Sequence, residues 1–525
     1  MLHVRWLITT AATLFVAGSP LHAEWYEASS EHFVVYADDS PKDIQSFAEL
    51  LEKYNAALQL VTTRSVAVPS PSNRVTIYVA GSGKEIRNLA GDKDGIIAGF
   101  YIPRAGGSVA FVQNIRLTKG YPDFSTVVLL HEYAHHFLIS SSRYALPRWL
   151  NEGAAEFFAS TMFPKDGSVQ VGLPALHRGG DLFYSQEVTV YELFDDELYR
   201  SKKRAKYDAY YGRSWLLYHY LMFSAERQGQ LSKYLQSLLH GENPNEAARR
   251  AFGDLDQLER ELDKYLKKSR WSHLEIGPGK IRINPVQIRQ LSAGEAAVMP
   301  LVIRSERGVD EEQAAELVIE LRQVAAKYPQ DPAVQTALAE GEFDAGNYDA
   351  AITAAKQAIS IDPRARNAYV QMGYALFAKA GETDDREAAY RAAMVPFSKL
   401  NALENDHPLP LIYYYRSFTE RGATPSENAR HALERASELA PFDQGLATNL
   451  GTMFAREGKI ALAISVLKPI AANPHGGGLA NFAQNMIDAM VNAPEGEPFH
   501  PNFILGQDSS TEGPADDEVN KSADR

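Results

Sequence analysis

The chain has 525 residues, 45% hydrophobic and 23% charged, with 53 Lys and Arg against 66 Asp and Glu and a formal charge of -13. That length predicts roughly two to four domains, the apolar share suffices for packed cores, and the acidic balance argues against a sequence-independent grip on nucleic-acid phosphates. There is no cysteine, which excludes disulfides, cysteine nucleophiles and thiolate zinc sites. Any metal must therefore be held by His, Asp and Glu, and the 14 histidines are the residues to follow.

Residues 1–23 have the layout of a secretory signal peptide. Arg5 gives the start a positive charge, Trp6 to Gly18 is uncharged and apolar or small, and Ala23 offers a cleavage point before Glu24. The apolar run is too short to span a bilayer, and no later segment is long and apolar enough. The sequence thus predicts an exported product, periplasmic or secreted, with a mature chain from about Glu24.

From Glu24 to about Lys119 the pattern is mixed α/β. His32 to Tyr36 and Arg74 to Val79 read as strands, with a helix between them that starts at Ser40-Pro41 and runs to about Leu60. Ile96 to Tyr101 and Ser108 to Val112 read as two more strands, separated by Pro103 and Gly106-Gly107. Gly81-Ser82-Gly83-Lys84 lacks the Walker spacing and reads as a plain turn.

Phe124 to about Ser269 turns helical. Ser125 to Ile139, Pro147 to Met162, Tyr210 to Arg227 and Leu255 to Lys268 are the predicted helices. The first carries His131-Glu132-Tyr133-Ala134-His135. Histidines four apart share one helix face, and two imidazoles so placed can reach one zinc ion at about 2.0–2.1 Å. Glu132 beside the first ligand can take a proton from an activated water. A catalytic site of this kind needs a third protein ligand. Trp149-Leu150-Asn151-Glu152-Gly153-Ala154-Ala155 follows, and the gap after His135 fits a helix end, a connection and a second helix that presents Glu152. Gly153, Ala154 and Ala155 permit close packing there.

These two motifs resemble those of the gluzincin zinc metallopeptidases, especially the bacterial peptidase MA-like group, over about Trp25 to Ser269. The resemblance implies that His131, His135 and Glu152 bind Zn2+ and that Glu132 is general base and proton shuttle. It also implies that Glu156, four residues after the glutamate ligand, supports a histidine ligand from outside the coordination shell, where relatives use aspartate. Tyr211, in the stretch Tyr210-Tyr211-Gly212-Arg213-Ser214, matches the tyrosine that donates to the oxyanion. A substrate-binding edge strand is expected before the motif helix, with Gly107 to Val112 as its candidate. His136 and His219 have no ligand spacing and read as structural.

Residues 273–309 lose helical periodicity and read as a connector with some strand content. Residues 310–491 are repetitive: Gly346-Asn-Tyr-Asp-Ala-Ala-Ile leads to Ala358-Ile-Ser-Ile-Asp-Pro363, and Pro408, Pro441 and Pro474 recur at 33-residue steps. This resembles the tetratricopeptide repeat, of period about 34. The 45-residue step from Pro363 to Pro408 predicts an insertion around Gly381 to Arg386. Residues 492–525 read as a disordered acidic tail.

The expected architecture is an α+β metallopeptidase-like domain over 24–272, with a small mixed sheet and a helical lobe, followed by an all-α repeat solenoid. The expected function is an exported zinc-dependent peptidase whose repeats dock a protein substrate or partner, with no nucleic acid involved. Two alternatives use the same residues: a non-catalytic adaptor with structural zinc, and a hydrolase of cell-wall peptide amides. Aminopeptidase action is less favoured, because no Gly-x-Met-Glu-Asn-type motif precedes the zinc helix.

Overall fold

The computed structural model describes residues 24–500, apart from 93–94, 96, 116, 119–120, 142–143, 206–207 and 474–475. The signal peptide, the tail beyond 500, Ile96 and Pro474 lie outside the described residues. The N-terminal half is built on a six-stranded mixed sheet. Its strands are β1 (Trp25–Ser29), β2 (Phe33–Asp38), β3 (Val75–Val79), β4 (Gly99–Ile102), β5 (Val109–Val112) and β6 (Gln287–Gln290), in the order β6-β1-β2-β3-β5-β4. β2, β3 and β5 run parallel, and the pairs at both ends are antiparallel.

Between β2 and β3 lies α1 (Pro41–Thr62), which starts where expected: the Ser40 hydroxyl accepts from the Asp43 N–H and Pro41 occupies the first turn. Its apolar face, with Phe47, Leu51, Tyr54 and Leu58, packs on Phe33, Val35 and Ile77 in one core. The turn expected at Gly81 to Lys84 is a helix start instead, because Ser82 caps the eight-residue α2 (Gly83–Ala90).

The candidate edge strand needs correction. β5 is internal, paired on one side with β3 and on the other with β4. The hairpin through Gly106-Gly107 folds β4 to the outside, so Gly99–Ile102 is the sheet edge.

The helical lobe holds α3 (Phe124–Ser140), α4 (Arg148–Ala159) and α5 (Tyr210–Phe223). Asp123 caps α3 by accepting from the Thr126 N–H, and the buried Tyr54 hydroxyl donates to the Leu130 carbonyl. α4 packs between α3 and α5. At Gly153 a Cβ would stand 2.4 Å from the Ser214 carbonyl oxygen, so only glycine lets α4 meet α5 this closely.

The connector expected over 273–309 is largely ordered structure. Leu274–Ile276 pairs with Val169–Val171, and β6 completes the sheet beside β1. A helix runs from Ala293 to Glu306, through Pro300 and behind a capping box of Ser292 and Glu295. β6 is mostly exposed, so it carries no apolar alternation to reveal it.

Beyond it the C-terminal half is a tetratricopeptide-like helical solenoid, from Glu311 to Met490. Helix pairs repeat with starts at Pro332 and Arg366, the 34-residue step of the repeat. The expected insertion is not a loop. The helices Arg386–Leu403 and Arg366–Gly381 are simply long, at 18 and 16 residues against 14 and 13 in the preceding pair.

The solenoid returns to the N-terminal half and docks on it. Ser72 donates from its N–H and hydroxyl to Glu404 at 2.9 and 3.0 Å, Asn73 donates to the Leu439 carbonyl at 2.7 Å, and the Ala105 N–H donates to Asp443 at 2.8 Å. Between the halves lies a cleft of about 2520 Å³.

Candidate metal centre

α3 is apolar along most of its length, with Val127, Leu129, Leu130, Tyr133, Ala134, Phe137 and Leu138 all buried. Burial fixes its rotation and leaves His131 and His135 on a common side. Their Nε2 atoms stand 3.0 Å apart, with rings 4.6 Å apart and nearly perpendicular. α4 brings Glu152, fully buried, with Oε2 3.4 Å from each Nε2. The three residues expected as ligands are therefore together. Tetrahedral donors at about 2.0–2.1 Å from one zinc ion would lie roughly 3.3–3.4 Å from one another. The observed triangle fits that set.

Each ring is aimed by a neighbour. His135 Nδ1 lies 3.2 Å from the Asn151 amide oxygen, and His131 Nδ1 lies 3.3 Å from Glu156 Oε1. A His135 tautomer that donates from Nδ1 to Asn151 turns its Nε2 lone pair toward the point that His131 Nε2 also faces, while the Glu156 carboxylate approaches His131 Nδ1 as an ion-pair partner.

Glu156 is more deeply engaged than its expected supporting role required. It is fully buried, not a solvated helix charge. It accepts from Arg178 Nε and Nη2 at 2.8 and 2.6 Å and meets His177 Nε2 at 2.5 Å. Burial would raise its carboxyl, but Arg178 and His131 outweigh burial and hold it well below the usual carboxylate range. Burial likewise opposes charge on His131, yet Glu156 and Glu152 raise that imidazole to about 10. The pocket thus demands positive charge between its carboxylates, supplied by a proton in the metal-free chain or by a bound cation.

His177 and Arg178 were invisible to sequence reasoning. They sit in a single 3₁₀ turn, Leu176–Arg178, with no fixed spacing from either motif. A basic pair close after a glutamate-bearing helix was the sole signal.

Glu132 lines the cleft together with His131 and His135. Tyr211, from α5, is brought to the same place: its ring lies 6.3 Å from the His131 ring and 4.8 Å beneath the Arg178 guanidinium. Burial, reinforced by Glu152, pushes its phenol well above its usual range, so it stays protonated. The edge strand β4 forms one wall of the cleft, and solenoid residues including Tyr374, Tyr413 and Asn449 face it.

His136 and His219, expected to be structural, both have polar partners, and His136 also lines the cleft. His136 Nδ1 pairs with the Tyr101 hydroxyl at 2.6 Å, and its ring packs on Phe442 of the solenoid. His219 is fully buried, with Nδ1 2.9 Å from the Tyr265 hydroxyl and Nε2 3.0 Å from the Gly172 carbonyl, and burial pulls it down to about 4.

No protein-family model and no curated protein matches the chain. Among solved structures it is similar to a thermophilic tetratricopeptide-repeat protein of Thermus thermophilus, at 16% identity and TM-score 0.33, covering 37% of this chain and 99% of that one. It is also similar to yeast Tom70, at 12% identity and TM-score 0.27, covering 85% of this chain and 74% of that one. At such scores these likenesses carry nothing about the site.

Proposed function

We propose that the chain is a gluzincin-type zinc peptidase whose repeat solenoid covers the cleft and docks a protein substrate or partner. The observation that carries this is the buried triangle of His131, His135 and Glu152 with Glu132 at the cleft floor. His131, His135 and Glu152 would hold the ion, and Glu156 with Asn151 would fix the two rings. Zinc, when bound, supplies Lewis acidity toward a carbonyl and toward water.

The chain's own groups do the rest. Glu132 accepts the proton of the attacking water and returns it to the leaving amine. The Tyr211 phenol, kept protonated, donates to the oxyanion that develops on the scissile carbonyl. The outer edge of β4 offers backbone N–H and C=O groups to an extended peptide. A cleft closed on one side by the solenoid suits an extended segment better than a folded domain.

The layout of residues 1–23 supports an exported site of action, periplasmic or secreted. Among the described residues no helix is long and apolar enough to cross a membrane. A non-catalytic adaptor with structural zinc is the runner-up, supported by the solenoid, but a structural site has no use for Glu132 in an open cleft. Hydrolysis of cell-wall peptide amides would use the same residues. The deciding experiment compares wild type and Glu132→Gln on a proteome-derived peptide library and on cell-wall fragments. Cleavage of the library by wild type alone supports the peptidase, cleavage confined to the fragments supports the cell-wall reading, and equal products from both proteins sink catalysis at Glu132.

A further inference from the structure

Most arginines around the cleft already hold a carboxylate. Arg178 is bound to Glu156 at 2.6 Å, Arg366 to Glu404 at 2.8 Å, Arg416 to Glu420 at 2.9 Å, and Arg204 to Glu192. Arg148 is different. It opens α4, one helical turn before Glu152, so the two residues share a face of the helix. Its guanidinium is stacked on Tyr210 at 4.3 Å and lies 5.2 Å from the Tyr199 ring, which fixes its position without using its N–H groups. Glu152 and Asp196 attract it through space, and its Nε is buried with no hydrogen-bond acceptor among the described residues. The side chain lines the cleft together with Tyr211, Glu132 and His131. The N-cap of α4 is Pro147, which has no side chain to accept from the first turn, so the positive end of the helix adds to the same field.

A guanidinium held in place by ring stacking, with no ion pair among the described residues and on the cleft wall beside the candidate metal ligands, has the shape to take a planar anion in two parallel hydrogen bonds. We infer that Arg148 is a specificity-determining residue that binds a carboxylate of the substrate peptide next to the bond being cut. This rests on the peptidase reading and names its substrate class: peptides carrying an acidic side chain or a terminal carboxylate at that place. A charge-assisted pair of this kind is worth about ten- to a hundredfold in selectivity.

The test profiles cleavage sites of zinc-loaded wild type and Arg148→Gln on a proteome-derived peptide library, once with free C-termini and once amidated. Wild type should favour carboxylate-bearing sites about tenfold or more, and Arg148→Gln should lose that preference. Preference surviving amidation assigns an Asp or Glu side chain, and preference abolished by it assigns the terminal carboxylate. Cleavage without acidic preference in wild type, which needs no variant, overturns the proposal and leaves the peptidase reading intact. So does a preference unchanged in Arg148→Gln. Arg148→Lys keeps the charge without the fork and should fall between the two.

If wild type cuts nothing, the peptidase reading fails, and the Arg148 claim is then read by capture of the same library on zinc-loaded Glu132→Gln. Acidic peptides enriched there and lost in the Arg148→Gln double variant support it, and equal capture overturns it.

Discussion

Glu156→Gln is the sharpest probe of how the centre is assembled. The wild-type carboxylate has no solvent exposure and touches His131 at 3.3 Å, His177 at 2.5 Å and Arg178 at 2.6 and 2.8 Å. Glutamine keeps the shape and one acceptor but removes the charge. His131 Nδ1 then loses the anion that fixes its tautomer, and loss of such an outer partner typically weakens metal binding about 10–100-fold, or roughly 1.4–2.7 kcal/mol. Arg178 loses its principal counter-ion as well. Stripping one partner from a fully buried pair costs about 3–5 kcal/mol. The Arg178 side chain is 29% exposed and can still reach Asp181, so about 2–3 kcal/mol is expected here. Competition with a chromophoric chelator reads the affinity, and urea unfolding reads the stability. Zinc affinity within twofold of wild type, with stability reduced, would refute a supporting role for Glu156 and leave it a purely structural clasp.

Gly153→Ala should destabilise the lobe toward the upper end of the roughly 1–3 kcal/mol usual for overpacking, because the clash is with the Ser214 backbone carbonyl and not with a movable side chain. Its urea midpoint should fall and zinc should bind more weakly, since Glu152 is the preceding residue; a stability equal to wild type would show that α4 and α5 can separate freely. One contribution to the pH dependence of stability comes from His219, whose native imidazole is pulled to about 4 while an unfolded one titrates near 6.5. A native value below the unfolded one means that stability is fully present above about pH 6.5 and is lost as pH falls toward 4, by on the order of 3 kcal/mol. Urea midpoints at stepped pH should show that decline, and His219→Gln should make it shallower but not abolish it, because burial also depresses His136 and His407, while it lowers stability at neutral pH.

Much of the site was legible because its chemistry sits in local spacing. The four-residue step from His131 to His135 fixes a helix face, and Trp149 to Ala155 combines a candidate ligand with small residues that bring it close. The cap at Ser40-Pro41 and the 34-residue helix-pair step were local in the same way. What escaped depends on contacts distant in sequence. The edge of the sheet is set by the direction in which the Gly106-Gly107 hairpin turns, which strand composition does not encode. β6 is an exposed border strand without alternation, so only its pairing with β1 reveals it. The grip of His177 and Arg178 on Glu156 spans more than twenty residues with no repeating pattern. The docking of the solenoid through Glu404, Leu439 and Asp443 uses a few hydrogen bonds to Ser72, Asn73 and Ala105 of the other half, more than 300 residues away in sequence.

Zinc-edge X-ray absorption on stoichiometrically loaded protein reads out whether one zinc ion is shared by His131, His135 and Glu152. The expected spectrum shows one ion per chain with two imidazole nitrogens and carboxylate oxygen at about 2.0–2.2 Å, with stoichiometric binding lost in His135→Ala. A wild-type protein that retains no zinc, or a His135→Ala protein that binds it with an unchanged spectrum, would contradict it.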